Sequence, residues 1–180
     1  RPMNHKGKGW ACWWYFKVSG LTPGEVWKLS LNGSGFAAPS RASVSSDDKI
    51  WKHISPGKRS GKLFTYEVKV DAETTWFAWG PPFTLADARS LIEKTVKAKV
   101  GAEAFELCKS QDGHVVPALR WEPKGDGKQP AIWIQARQHA WEAGSSWVCR
   151  GLVEWLASDQ EDAKALRENA RIHVVPIMDV

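Results

Sequence analysis

An apolar run, a turn, a helix-like stretch and a second apolar run follow one another toward the end of this 180-residue chain, and this order constrains its fold most. Residues 131–136 are patterned as a short buried strand, and residues from 143 or 145 to 156 space their apolar side chains at helical period. A shorter helix is predicted over residues 162–169 and a strand over residues 172–177. Strands joined through helices run parallel in one sheet, so the sequence predicts a βαβ unit.

The first half of the chain is instead patterned as antiparallel β structure. Residues 62–70 alternate as a sandwich strand does when it faces one core. The side of this strand that is predicted to face the core carries Phe64, Tyr66, Val68 and Val70. Further strands are predicted over residues 13–18, 25–31 and 74–78, and a long loop or an irregular edge over residues 36–48.

The pattern changes after Pro82. Thr84 is in position to cap a helix that runs to Lys97, because its hydroxyl can accept a hydrogen bond from the first turn. We therefore predict an antiparallel β-sandwich domain over residues 1–84 and an α/β domain over residues 85–180.

Two further strands are predicted ahead of the βαβ unit. They cover residues 105–110 and 115–121, and Asp112-Gly113 between them is typical of a two-residue turn joining antiparallel strands. An antiparallel pair added to a parallel pair gives a mixed sheet. The predicted fold class is thus α/β, with a mixed sheet between helices in the second domain.

His139 and Glu142 lie in the predicted turn between the strand at residues 131–136 and the helix that follows it. In open α/β sheets, ligands bind outside the carboxyl ends of the strands, so chemistry is expected here. An imidazole and a carboxylate three residues apart can converge on one cation, and a His₂Glu set that leaves a position for water suits catalytic Zn²⁺. The sequence therefore predicts half of a zinc site. A solvated pair at a helix start, where the acid favours the positive end of the helix dipole, is the alternative.

The neighbouring polar residues are assigned no catalysis. Arg137 is a candidate ligand for a substrate carboxylate, with a structural salt bridge as the alternative. Ser145 and Ser146 are predicted to cap the helix, because no Gly-x-Ser-x-Gly elbow surrounds them. His114 is predicted in an exposed loop and His173 as a core histidine.

Composition excludes several classes of protein. The formal net charge is +5, but the basic residues are scattered, so no nucleic-acid partner is expected. No run of about twenty apolar residues exists, so no membrane span is expected. Cys12, Cys108 and Cys149 are widely spaced, which predicts buried free thiols in a reducing cytoplasm.

Three segments, in order along the chain, resemble those of one known family. Residues 136–147 (Ala-Arg-Gln-His-Ala-Trp-Glu-Ala-Gly-Ser-Ser-Trp) resemble the Ala-Arg-x-His-Pro-Gly-Glu signature of zinc carboxypeptidases, particularly of their cytosolic branch. Ala140 and Trp141 replace the usual Pro-Gly. Residues 76–84 resemble the Tyr-Phe-Ala-Tyr…Pro-Tyr-Thr element that closes the N-terminal domain of that branch. Residues 107–119 resemble the Ser-x-x-Gly hairpin that opens its catalytic domain.

The resemblance implies a β-sandwich followed by the first part of a zinc carboxypeptidase domain. It implies Zn²⁺ as the cofactor, His139 and Glu142 as metal ligands, and a peptide or protein C-terminus, often acidic, as the substrate. The third ligand, a substrate-binding arginine and the catalytic glutamate follow later in the family, so they are expected beyond residue 180. The remainder is expected in a longer chain or in a second polypeptide, and these 180 residues alone are expected to be inactive.

A function of another class stays open. Twelve tryptophans make the chain unusually rich in indoles, and most fall in the predicted β domain or in the metal segment. The alternative is a noncatalytic protein whose Trp-rich β domain binds a protein or a carbohydrate.

Overall fold

The computed structural model describes residues 12–33, 37–125 and 127–180. The chain divides into two compact units, Arg1–Pro82 and Phe83–Val180. Among the described residues, no helix has both the length and the apolar character needed to cross a bilayer.

The first unit is built from antiparallel strands. In chain order these are β1 (Tyr15–Val18), β2 (Val26–Asn32), β3 (Ser43–Ser45), β4 (Lys52–His53), β5 (Lys58–Ser60), β6 (Leu63–Lys69) and β7 (Thr75–Ala78). The described strands form one sheet in the order β1-β7-β3-β4 and another in the order β2-β6-β5.

Both sheets of this unit contribute to one apolar core. Val44 and Phe77 come from the first sheet, and Tyr66 and Val68 come from β6 in the second. The alternation predicted for β6 is confirmed, because the side that carries Tyr66 and Val68 is the buried one. The hydroxyl of Tyr66 donates to the carbonyl of Pro39 at 2.5 Å, and burial raises its pKa to about 12.

The prediction of a long loop or an irregular edge over residues 36–48 is wrong in its central part, because β3 lies between β7 and β4 in the sheet. Residue 36 lies outside the described residues, but β3 is a buried strand that pairs with β4 and β7. Ser43 and Ser45, the first and last residues of β3, are 0% and 2% exposed. A three-residue strand made of two serines and one valine lacks the apolar alternation by which strands are recognised in a sequence.

The second unit alternates helices and strands. Its elements are α1 (Leu85–Lys97), β8 (Ala102–Lys109), β9 (Val115–Trp121), β10 (Ala131–Gln135), α2 (Ala143–Leu156), α3 (Glu161–Asn169) and β11 (Arg171–Val175). The sheet order is β10-β11-β9-β8, with β10 and β11 parallel and the other neighbours antiparallel. The predicted mixed sheet and βαβ unit are therefore present, with both α2 and α3 in the crossover.

The turn between β8 and β9 is longer than predicted. The amide of Ser110 donates to the carbonyl of His114 at 2.8 Å, so the turn contains three residues and not two. Gly113 has φ 81°, and its amide donates to the carbonyl of Ser110. This is a type I turn followed by a left-handed residue, the usual geometry of a three-residue hairpin.

The core of the second unit lies between its sheet and its helices. Buried side chains of this core come from every helix and from β9 and β11; among them are Ala88, Leu91, Leu119, Cys149, Val153, Leu156, Ala163 and Ile172. Burial raises the pKa of the Cys149 thiol to about 11, so this cysteine behaves as a small apolar residue. The prediction that the cysteines are buried is wrong for Cys108, which is exposed on β8.

Helix α1 begins with the predicted cap. Thr84 accepts a hydrogen bond from the amide of Asp87 at 3.3 Å, and the Asp87 carboxylate accepts from the amide of Thr84 at 2.6 Å. This reciprocal capping box satisfies two backbone donors that the helix cannot satisfy itself. The capping box therefore fixes the residue at which α1 begins.

We expect Thr84→Ala to lower the free energy of unfolding of the second unit by about 1 kcal/mol, because the first turn of α1 loses its side-chain acceptor. Chemical denaturation of this variant and of the parent chain measures the difference. Ser90→Ala, at an exposed position inside the same helix, is the control and should be neutral or slightly stabilising. An equal loss in both variants would contradict the capping role.

Candidate metal centre

The candidate metal centre lies at one edge of the mixed sheet. Strands β10 and β11 are parallel, with Gln135 opposite Val175, so the segments that follow them leave the sheet at the same edge. The two segments contact each other directly. The amide of Met178 donates to the carbonyl of Ala136 at 3.0 Å, and the amide of Asp179 donates to the carbonyl of Arg137 at 2.9 Å. Ligand sites of open α/β sheets occupy this position.

His139 and Glu142 meet at this edge. His139 Nδ1 lies 3.0 Å from Glu142 Oε1, and the two side chains are 68% and 47% exposed. The backbone brings them together through a turn, in which the amide of Glu142 donates to the carbonyl of His139 at 3.0 Å. Glu142 precedes the first residue of α2, but its carboxylate caps no amide among the described residues. The carboxylate is thus directed at the imidazole and not at the helix.

This pair fits two positions of a zinc site. Zinc bonds of about 2.0–2.1 Å in tetrahedral geometry place neighbouring ligand atoms about 3.3 Å apart. The 3.0 Å between Nδ1 and Oε1 is close to that value, and imidazole with carboxylate is a donor set that zinc accepts. The described residues contain no group of three or more His, Cys, Asp or Glu side chains able to hold a metal. They therefore supply a pair and not a complete site.

The hydroxyl of Ser145 closes the segment that carries the pair. It accepts a hydrogen bond from the amide of Arg137 at 2.8 Å and donates to the carbonyl of Glu142 at 2.7 Å. One side chain thus joins the beginning and the end of residues 137–142. The prediction that Ser145 caps the helix is wrong, because Glu142 occupies the cap position and Ser145 lies inside the first turn.

Ser146 is also not a cap. Its buried hydroxyl donates to the carbonyl of Pro176 at 2.7 Å and so attaches α2 to the segment after β11. Capping was the only role that the sequence predicted for either serine. Both roles depend on backbone carbonyl and amide groups that are distant in sequence or lie across a turn, and residue spacing does not reveal such partners.

Arg137 is held by its side chain and its backbone. Its guanidinium donates through one terminal nitrogen to the carbonyl of Phe83, and Nε is buried without a hydrogen-bond partner among the described residues. Burial lowers the pKa of this guanidinium, and the charge of Asp179 acts in the opposite direction. The backbone has φ 48°, which is left-handed and uncommon outside glycine. A structural salt bridge was the alternative predicted for Arg137. Among the described residues, the hydrogen-bond partner of its guanidinium is instead a backbone carbonyl, that of Phe83.

His114 and His173 are the other histidines of the second unit, and they belong to no group of three or more metal-binding side chains among the described residues. His114 is exposed in the hairpin turn, as predicted. The prediction of a core histidine is wrong for His173, whose side chain on β11 is only half-buried. Phe105 and Trp133 contact its ring, and the Glu122 carboxylate lies 3.8 Å from its Nε2.

Known proteins match this chain over most of its length. Residues 93–180 match the family model for zinc carboxypeptidase. An uncharacterized protein of Zymomonas mobilis is 32% identical over 174 residues, covering 93% of this chain and 44% of that protein. Cytosolic carboxypeptidase 1 of Mus musculus is 22% identical over 213 residues, covering 93% of this chain and 18% of that protein.

A solved structure matches in the same way. The crystal structure of a candidate carboxypeptidase A from Shewanella denitrificans has a TM-score of 0.84 and 25% identity, covering 98% of this chain and 47% of that chain. The predicted resemblance and the mixed α/β fold class are confirmed by these matches. The chain spans less than half the length of each of these relatives.

We expect Ser146→Ala to lower the free energy of unfolding of the second unit by roughly 1–3 kcal/mol, because the Pro176 carbonyl loses a buried donor. Ser145→Ala should cost less, since its hydroxyl is exposed and water can replace it. Denaturation of the two variants beside the parent chain measures both losses. The reverse order would contradict the two assignments.

Proposed function

We propose that the protein carrying this chain is a zinc-dependent carboxypeptidase that removes C-terminal residues from peptides or proteins, because residues 93–180 match the family model for zinc carboxypeptidase. The observation that carries this proposal is the approach of His139 Nδ1 to Glu142 Oε1, 3.0 Å apart at the carboxyl edge of the sheet. An ion pair of residues three apart gives the same contact, so it is the position after the parallel strands β10 and β11, where α/β domains bind their ligands, that favours a metal.

His139 and Glu142 would hold the metal as two of its ligands. Bound zinc supplies a Lewis acid that polarises a carbonyl and lowers the pKa of bound water. The imidazole must be neutral and the carboxylate ionised to act as ligands, and together they carry one negative charge against the two positive charges of the cation. The third ligand, the proton-accepting glutamate and the arginine that grips the substrate are proposed to come from protein sequence outside these 180 residues.

Several finer points belong to the same proposal. Residues 1–84 are assigned to a β-sandwich domain and residues 85–180 to the first part of the catalytic domain. Acidic C-termini are proposed as substrates, since the net charge of +5 favours acidic partners. The cytoplasm is proposed as the compartment, in line with the name of the mouse relative. The rest of the domain is proposed to be carried by a longer chain or by a second polypeptide, since this chain spans less than half the length of its relatives.

The alternative of a Trp-rich binding domain has less support. Trp27, at 40% exposure, is the one exposed indole among the described residues of the first unit. Trp14 packs against the core of that unit, and its Nε1 donates to the carbonyl of Ala37 at 2.7 Å. A structural role explains such an indole without a ligand.

We expect His139→Ala and Glu142→Ala each to abolish zinc-dependent hydrolysis by the full-length protein, because either change leaves the cation short of a ligand. Release of the C-terminal residue from peptides with acidic and with neutral ends measures activity and preference together. Native mass spectrometry of the same samples counts the bound zinc, and thermal unfolding confirms that each variant is folded.

His114→Ala is the matched control, since it removes an exposed histidine that belongs to no group of three or more metal-binding side chains among the described residues. It should retain both zinc and activity. Turnover retained in a folded His139→Ala or Glu142→Ala protein would refute zinc chemistry at this site. A parent protein that binds one zinc but hydrolyses nothing would instead favour the noncatalytic alternative.

A further inference from the structure

We propose that Ser145 is a positioning residue, whose hydroxyl fixes the segment of residues 137–142 so that His139 and Glu142 face a common cation. This inference rests on the proposed function. Ser145 touches neither ligand side chain by a described hydrogen bond; it acts on the backbone at both ends of the segment that carries them.

The start of the segment needs to be held. Arg137 has φ 48°, and a left-handed conformation of a residue other than glycine costs of order 1 kcal/mol, so it persists where surrounding contacts determine it. Two backbone hydrogen bonds do so here. The Arg137 amide donates to Ser145 Oγ at 2.8 Å, and the Arg137 carbonyl accepts from the Asp179 amide at 2.9 Å.

The end of the segment is held by the same hydroxyl. Ser145 Oγ donates to the Glu142 carbonyl at 2.7 Å, and the Ser145 amide donates to that carbonyl at 3.1 Å. A hydroxyl has one proton to donate and lone pairs to accept with, so these two bonds use it in both capacities at once. An alanine at position 145 can keep the hydrogen bond from its backbone amide to the Glu142 carbonyl, but it loses the hydrogen bond from the Arg137 amide.

Helix α2 provides a firm base for this connection. Ala143, Ser146 and Cys149 on the same helix are 6%, 0% and 3% exposed, so its first turns are fixed in the core while Ser145 faces outward. Positions of the metal ligands are therefore tied to a packed helix through one exposed side chain. Residues that hydrogen-bond to the side chains of metal ligands typically change metal affinity by 10–100-fold when they are removed, and Ser145, which acts on the backbone, is expected at the lower end of that range.

We expect Ser145→Ala to weaken zinc binding by the full-length protein by about 10-fold, measured by competition with a chromophoric chelator. Ser145→Thr keeps the hydroxyl and should bind zinc as the parent does, whereas Ser145→Val, which has the same shape as threonine without the hydroxyl, should bind as weakly as alanine. Ser158→Ala is the matched control, because Ser158 also accepts from a backbone amide, that of Gln160, but beyond the other end of α2. It should leave zinc affinity unchanged.

Amide hydrogen exchange of the zinc-free protein gives a second readout that does not depend on activity. The Arg137 amide should exchange faster in the alanine and valine variants than in the threonine variant, because its acceptor is gone. Equal zinc affinity and equal exchange in the threonine and valine variants would overturn the positioning role. If His139→Ala binds zinc as tightly as the parent, the proposed function fails, and the exchange rate of Arg137 still decides whether Ser145 holds the segment.

Discussion

The parallel pairing of β10 with β11 is the constraint on which the candidate site depends. It places the segments after both strands at one edge, where Met178 and Asp179 donate to the carbonyls of Ala136 and Arg137. Antiparallel pairing would send the two segments to opposite edges. The crossover that parallel pairing requires also provides α2, whose first turn carries Ser145. The parallel pairing therefore determines both where the metal pair lies and which helix supports it.

Elements with strong local signals could be predicted from the sequence. Helix α1 was identifiable from Thr84 and the helical spacing behind it, and its capping box forms as local chemistry requires. Strand β6 was identifiable from strict alternation, with Tyr66 and Val68 on the buried side. In both cases the pattern that identifies the element lies within a short stretch of sequence, so periodicity and capping chemistry contain the necessary information.

Elements whose stability depends on distant partners could not be predicted. Strand β3 is buried because β4 and β7 pair with it on either side, and two of its three residues are serines. The hairpin turn at residues 111–113 has one residue more than its Asp-Gly pair indicates, because Ser110 and His114 close it. At the site, the His-x-x-Glu spacing predicted the two candidate ligands. It held no information about the hydroxyl of Ser145, whose partners are backbone atoms.

Arg137 shows how a charged residue beside a candidate metal site can serve structure. A guanidinium that grips a substrate carboxylate must offer its donors in a fork to the ligand, with the desolvation of the charge offset by a bidentate bond. In Arg137, one terminal nitrogen is engaged by the Phe83 carbonyl and Nε is buried. A carboxylate that uses the fork containing Nε would require this side chain to move until its buried edge reaches the surface. The same movement would release the side-chain anchor of a residue already held at φ 48°. A grip on substrate through that fork and a firm metal segment are therefore competing demands on Arg137.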